Sequence, residues 1–171
     1  MSSQNLQKNN ETQIIRTHYS YIDYIGEGIA LSAVLFTFFT LILNWPSLPS
    51  NIPVHFDIFG TPVRWGSKTE LLIEVIMGTL LSYVVLTAVS KFFQYFWKIT
   101  PGKVGKLCKV IQSFFIWFKA LIVGTLSFCT WKVIQIGLGK SGNFGTHLAP
   151  ILLMLLLGLI LVHIIKAICA K

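Results

Sequence analysis

Charged residues are scarce in this 171-residue chain, and segments with a distinct polar face are largely missing. Only 12% of the residues are Asp, Glu, Lys or Arg, whereas 54% are hydrophobic. A soluble domain of this size would be built from short amphipathic segments whose polar faces meet water. The composition therefore excludes a soluble globular protein.

Motifs for catalysis are also missing. No serine or cysteine lies in a nucleophile motif, and neither a His-Glu-x-x-His sequence nor a glycine-rich phosphate loop occurs. The three cysteines, Cys108, Cys129 and Cys169, are an odd number without zinc-like spacing, so we expect unpaired packing residues. We predict that the chain is not an enzyme and that it holds no cofactor or metal.

Four long apolar stretches make up most of the chain: Ile22–Trp45, Leu71–Ser90, Val110–Trp131 and Leu148–Ile168. A membrane helix needs about 20 mostly apolar residues to cross about 30 Å of hydrocarbon. Each stretch meets that length. We predict an all-α membrane protein with four transmembrane helices and an extended, proline-rich outer loop between helices 1 and 2. Residues 1–21 form a polar tail and interfacial segment, and residues 22–171 form the transmembrane domain.

The net charge of +8 has its main source between the second and third stretches. Five lysines and no acid lie there: Lys91, Lys98, Lys103, Lys106 and Lys109. Basic loops stay in the cytoplasm, so we place this connection and both termini inside. Predicted inside segments then hold about nine basic residues and outside segments about four. Membrane topology explains why lysines are concentrated in this connection, so we expect the lipid bilayer as a partner and no nucleic acid.

The connection from Pro46 to Glu70 is the most distinctive segment, because it holds four of the six prolines. Each proline fixes φ and biases its predecessor to extended geometry. We expect a stiff loop without helix, in which Ile52–Phe59 forms a short strand or lies flat at the interface. Its apolar side chains either pack back on the helices, which we favour, or bind another apolar molecule. A capping box at Ser67-Lys68-Thr69-Glu70 predicts that the second helix begins near Thr69.

The order of residues in this connection resembles a signature of bacterial membrane proteins with a widespread domain of unknown function. The matching residues lie within about residues 35 to 80 and are Leu48, Pro49, Ile52, Pro53, His55, Phe56, Gly60, Pro62, Trp65, Gly66, Ser67 and Lys68. We add Asp57 as a partner-binding candidate, although the family commonly has an amide residue there. The family also has an acidic residue with glycine near Val63-Arg64, which this chain lacks.

The same domain occurs in Sdp-type immunity proteins, which have more than four spans. These proteins protect their producer cell from a secreted killing peptide and hold a repressor at the membrane. The resemblance implies a protein of the bacterial plasma membrane that recognises an extracellular membrane-active peptide and signals to a cytoplasmic regulator.

Two other functions stay open. A small ion or solute transporter or channel, perhaps assembled as a homo-oligomer, would use two intramembrane residues, Glu74 and Lys119. A central lysine costs about 2.5–3.5 kcal/mol, so Lys119 should face the bundle interior and find a partner. Glu74 is the acid that we assign to a span, but it lies about 10 Å away along the axis. A metal-dependent membrane enzyme would instead use His55 and Asp57, with His147 as a third ligand.

Overall fold

The computed structural model describes residues 21–57, 59–99, 103–143, 145 and 147–169. Within these residues, four helical segments are long and apolar enough to cross a membrane. The prediction of a helical, multi-pass membrane protein is therefore confirmed at this level. The polar tail predicted for residues 1–21 lies outside the described residues, except for Tyr21.

In the described residues, five α-helices and two strands follow one another. They are α1 (Tyr21–Asn44), β1 (Asn51–Phe56), β2 (Pro62–Ser67), α2 (Lys68–Glu74), α3 (Leu81–Ile99), α4 (Lys103–Gly137) and α5 (Leu148–Cys169). A 3-10 turn, Trp45–Ser47, follows α1. A π-helix, Val75–Leu80, joins α2 to α3, so these three segments form one continuous membrane helix.

Local sequence signals set two of the helix ends. Helix α2 begins at Lys68, one residue before the predicted start, and Ser67 and Glu70 form the predicted capping box. Helix α4 ends where Gly139 adopts a φ of +70°. The N–H of Lys140 then donates to the Gln135 carbonyl and that of Gly139 to the Ile136 carbonyl, each over 2.9 Å. This is a Schellman motif, in which glycine takes the left-handed position.

Helix α4 is the centre of the bundle. It packs against α1, α3 and α5, and its carboxyl-terminal part also contacts β1. Its 35 residues span about 52 Å at 1.5 Å per residue, which exceeds the roughly 30 Å of a hydrocarbon core. Helix α4 therefore projects beyond the hydrocarbon. Helix α5 contacts α4, and His163 is the one buried residue in the described part of α5.

The connection between α1 and α2 contains a β-hairpin. Strands β1 and β2 pair antiparallel, from Asn51 opposite Ser67 to Phe56 opposite Pro62, with irregular register on either side of His55. Strand β1 overlaps Ile52–Phe59, for which a short strand was one expectation, and begins one residue earlier. The second strand was not expected. Leu48 and Ile52 join a core cluster whose helical members are Leu41, Leu71, Val75, Val133 and Ile134.

Candidate functional site

The hairpin is held on the helices by the first residues of the predicted motif. Ile52 and Pro53 are fully buried, Leu48 is nearly so, and Phe56 packs against the same core while half-buried. Gly137 of α4 makes room for them. A Cβ added there would lie 3.0 Å from Ile52 Cγ2 and 3.4 Å from Leu48 Cδ2. These motif residues therefore have a structural role, whereas Pro49 is exposed.

Asp57 shapes the turn of the hairpin. Its Oδ1 accepts hydrogen bonds from the backbone N–H groups of Phe59 at 2.9 Å and Thr61 at 2.8 Å. Gly60 follows with a φ of +80°, which glycine adopts without steric cost. Asp57 and Gly60 thus have the roles that asparagine, aspartate and glycine commonly take in turns.

Three polar side chains at the edge of the hairpin are joined in a hydrogen-bonded series: His55, Arg64 and Glu70. Arg64 Nη2 lies 2.9 Å from Glu70 Oε2, and Arg64 Nε donates to His55 Nδ1 over 3.3 Å. Glu70 Oε1 accepts from the N–H of Ser67 at 3.2 Å. A Cβ on Gly66 would lie 2.6 Å from that same oxygen, so glycine leaves the space that the Glu70 carboxylate occupies.

Several other described residues of the hairpin are exposed. Phe59, Val63 and Trp65 have 60%, 63% and 54% of their surface accessible. Together with His55 and Arg64, which are also exposed, they form what we call the hairpin surface. Of the other motif residues, Pro62 is half-buried, and Lys68 Nζ lies 5.0 Å from the ring centre of Trp45, within the range of a cation–π contact.

Lys119 lies at the centre of a second cluster, inside the helix bundle. The Lys119 side chain is completely buried, and its Nζ lies 2.6 Å from Glu27 Oε2 and 3.0 Å from Thr87 Oγ1. The Tyr83 ring centre lies 5.1 Å away. The prediction that Lys119 faces the bundle interior and finds a partner is thus met through α1 and α3.

Glu74 is not the partner of Lys119. It lies at the end of α2 with an exposed side chain. Sequence reasoning treated Glu74 as the acid within a span and missed two others, Asp23 and Glu27, which lie within the first apolar stretch. Their four-residue spacing was the available signal, because residues at i and i+4 share one face of a helix. Asp23 is buried too, and its Oδ1 accepts from Ser113 Oγ at 2.7 Å.

The π-helix helps to keep the second membrane helix facing the bundle. The inward-facing residues of this membrane helix, which runs from α2 through the π-helix into α3, repeat every four positions. Leu71, Val75 and Thr79 are followed by Tyr83 and Thr87. A strict four-residue series drifts around an α-helix, which has 3.6 residues per turn. The wider i→i+5 turns of a π-helix offset that drift, so the Thr87 hydroxyl reaches Lys119.

Two of the three residues considered as metal ligands accept hydrogen bonds from the protein, and the third lies before α5. His55 Nδ1 accepts from Arg64, Asp57 Oδ1 accepts from the turn, and His147 is exposed just before α5. In the described part of the chain, no group of three or more His, Cys, Asp or Glu side chains could hold a metal ion. The three cysteines are free; Cys108 and Cys129 are half-buried, whereas Cys169 is exposed and is not the packing residue that was expected.

Comparison with known families identifies one region of the chain. The model of a domain of unknown function, DUF1648, matches residues 33–79. That range contains the second half of α1, the hairpin, α2 and most of the π-helix, and it agrees with the motif region of about residues 35 to 80. The prediction of a membrane domain of unknown function is confirmed, whereas the link to Sdp-type immunity stays a prediction. Neither the curated proteins nor the solved structures yield a significant match.

Proposed function

We propose that the chain is a small, non-enzymatic membrane protein whose hairpin surface recognises a membrane-active peptide on the outer side of the bacterial plasma membrane. Binding there protects the cell and is signalled to a cytoplasmic regulator. The proposal rests on the hairpin side chains that stay exposed and do not help to pack the hairpin on the helices. Phe59, Val63 and Trp65 stand free on a hairpin that Leu48 and Ile52 fix to the bundle.

The chemistry of this surface suits such a partner. Large exposed apolar side chains outside a hydrocarbon core are typical of contact sites, and Trp is enriched among residues that dominate binding energy. The anchoring of β1 against α4 keeps the surface rigid, so little conformational freedom is lost when a partner binds. The basic connection between α3 and α4 supports an inside location for that end and an outside location for the hairpin.

A survival assay tests the proposal. Cells that lack the gene receive the wild-type chain or a variant and are exposed to a panel of membrane-active peptides. We expect protection by the wild type and its loss with Trp65→Ser and Val63→Ser. Tyr95→Ser, at an exposed aromatic residue near the other end of the bundle, is the matched control and should still protect. Equal amounts of each chain in the membrane must be verified by immunoblot.

The proposal fails if the wild type protects against no peptide and His55→Ala changes nothing. The alternative of a transporter or channel was based on Glu74 and Lys119, which do not pair in the structure. Lys119 and Glu27 offer another intramembrane charge pair. Flux across proteoliposomes, compared with Lys119→Leu, tests that alternative. Elemental analysis of the purified protein tests the metal-dependent enzyme.

A further inference from the structure

The register of the hairpin determines which backbone groups of β2 face β1 and which face outward. Opposite residues of an antiparallel pair alternate between those that exchange hydrogen bonds and those whose N–H and C=O groups point away from each other. The N–H of Lys68 donates to the Ser50 carbonyl over 3.2 Å, so this pair is of the first kind. The next three pairs then alternate outward, inward and outward, and they are Asn51–Ser67, Ile52–Gly66 and Pro53–Trp65. Trp65 therefore presents its N–H and C=O on the edge of β2 that faces away from β1, which we call the outer edge.

Two independent features agree with this assignment. Ser67 belongs to an outward pair, and its N–H is indeed available to a group outside the ladder, because it donates to Glu70 Oε1 over 3.2 Å. Pro53, opposite Trp65, has no N–H to donate. Within sheets, proline is confined to positions where the ladder needs no donor. Both features require the alternation that turns the backbone groups of Trp65 outward.

The two edges of the hairpin differ in how they are protected. Strand β1 packs against α2 and α4, and Ile52 and Pro53 are fully buried there. Strand β2 is mostly exposed. In the described part of the chain the sheet has two strands, so its own strands do not cover the outer edge of β2. A row of N–H and C=O groups on such an edge is a template for another strand, which proteins commonly block with proline or charge.

The side chains along the outer edge favour an apolar neighbour. The charge of Arg64, which precedes Trp65, is matched by Glu70, with 2.9 Å between Nη2 and Oε2. It is therefore already neutralised and does not repel an incoming strand. Val63 and Trp65 lie two residues apart in β2, and both are exposed. Aromatic and β-branched side chains stabilise a sheet when they contact similar side chains of a neighbouring strand.

We propose that the outer edge of β2 binds an extended peptide, which adds to the sheet as a third strand. The N–H and C=O of Trp65 exchange two hydrogen bonds with one residue of the peptide, and Val63 and Trp65 contact its apolar side chains. In strand addition, main-chain hydrogen bonds give affinity and alternate side chains give specificity. The inference rests on the function proposed for the hairpin surface. It adds that the recognised peptide is extended when bound and carries apolar residues at every second position.

Two substitutions at Trp65 separate the backbone from the side chain. Trp65→Val and Trp65→Pro both remove the indole, but only proline also removes the N–H. Pro53 shows that proline fits an outward position of this sheet. The full chain in lipid nanodiscs is titrated with a pool of short synthetic peptides in which valine, isoleucine or tyrosine alternates with threonine. We expect the wild type to bind, and Trp65→Pro to bind about tenfold more weakly than Trp65→Val, because a hydrogen bond is lost and the ring obstructs the edge.

Two further measurements test the geometry of the complex. Isotope-edited infrared spectra of ¹³C-labelled peptide carbonyls should show β-sheet absorption on binding to the wild type. Methylation of the peptide amides along both edges should weaken binding to the wild type by about tenfold, since the Trp65 carbonyl loses its donor. Thermal unfolding verifies that Trp65→Pro and Trp65→Val are folded. If Trp65→Pro is not folded, the methylated peptides decide.

Several results would overturn strand addition. These are a pool that does not bind the wild type, equal binding by folded Trp65→Pro and Trp65→Val, methylated peptides that bind as well as the unmethylated ones, and a bound peptide with helical absorption. A dimer that takes up no peptide and that Trp65→Pro dissociates would assign the edge to a second copy of the chain. Protection in the survival assay without binding of the pool would refute strand addition alone. Binding of the pool without protection would support strand addition and contradict the proposed function.

Discussion

Lys119 shows how strongly the surroundings of one residue determine its role. A buried ammonium group is tolerated only when partners replace its water. Here a carboxylate, a hydroxyl and an aromatic ring come from two neighbouring helices. Removing either member of a buried ion pair leaves the other charge without compensation, whereas removing both together can be nearly neutral.

Lys119→Met should therefore destabilise the protein by roughly 3–5 kcal/mol, because Glu27 loses its partner. Adding Glu27→Gln should recover most of that loss. Adding Glu74→Gln instead should recover none, since Glu74 lies elsewhere in the bundle. The free energies of unfolding of the wild type, Lys119→Met, Glu27→Gln and their double variant, measured by denaturant titration in mixed micelles, form a double-mutant cycle. The double variant of Lys119→Met with Glu74→Gln is the control. Equal recovery by both second substitutions would contradict the assignment of Glu27 as the partner.

Gly66 offers a second test at the level of one residue. The Cβ of Gly66→Ala would lie 2.6 Å from Glu70 Oε1, so the carboxylate must leave its capping position. Loss of a cap costs about 0.5–2 kcal/mol, and we expect a loss of stability in this range by thermal unfolding. In the background of Glu70→Ala the same substitution should cost little. A cost that is independent of Glu70 would rule out this explanation.

Some of these residue roles could be predicted from sequence, and others could not. The buried position of Lys119 and its need for a partner follow from the cost of a charge in hydrocarbon. The identity of that partner does not, because axial positions along separate stretches do not tell which helices are neighbours. Similarly, the sequence paired His55 with Asp57 as possible metal ligands, but it could not reveal that Asp57 would accept hydrogen bonds from the backbone of its own turn.

At the scale of secondary structure, the hairpin is an element whose stability comes from the helices below it. An isolated two-stranded hairpin is at best marginally stable in water. Here β1 is anchored through Ile52, which is fully buried beside Gly137 of α4. Strand β2 is mostly exposed. The contact between β1 and α4 therefore holds the whole hairpin in place.

Ile52→Ala should cost about 2–5 kcal/mol, the usual range for truncating a buried isoleucine. Val63→Ala, on the exposed strand of the same hairpin, should change stability by no more than about 0.5 kcal/mol. Denaturant unfolding of both variants in the same micelles measures the difference. Similar effects of the two substitutions would mean that the hairpin is not anchored through β1.

Secondary structure was predictable where it depends on local signals. The capping box identified the start of α2 to within one residue, and the apolar stretches located the four helices of the described residues that are long and apolar enough to cross a membrane. The second strand and the π-helix depend on contacts that are distant in sequence. Strand β2 forms because Gly66 and Ser67 meet β1, and the π-helix keeps Thr79 and Thr87 on the buried face. Neither condition is visible in the residues of the segment alone.

At the scale of the whole molecule, the polar groups divide between the two ends of the bundle. The hairpin and the start of α5 lie at one end, together with the exposed Lys140. The buried pairs Asp23–Ser113 and Glu27–Lys119 lie nearer the other end, where α1 begins. The hairpin surface and these buried pairs thus lie toward opposite ends of the bundle, with α1 and α4 running between them.

The sidedness of the molecule can be tested with lysines at both ends. An amine reagent that cannot cross membranes is added to intact cells, and labelled peptides are identified by mass spectrometry. We expect labelling of Lys140 and protection of Lys106, because basic connections are retained in the cytoplasm. Both lysines are exposed, so both should react once the cells are permeabilised. Labelling of Lys106 with protection of Lys140 in intact cells would reverse the topology. The hairpin surface would then face the cytoplasm, where it could not meet an extracellular peptide.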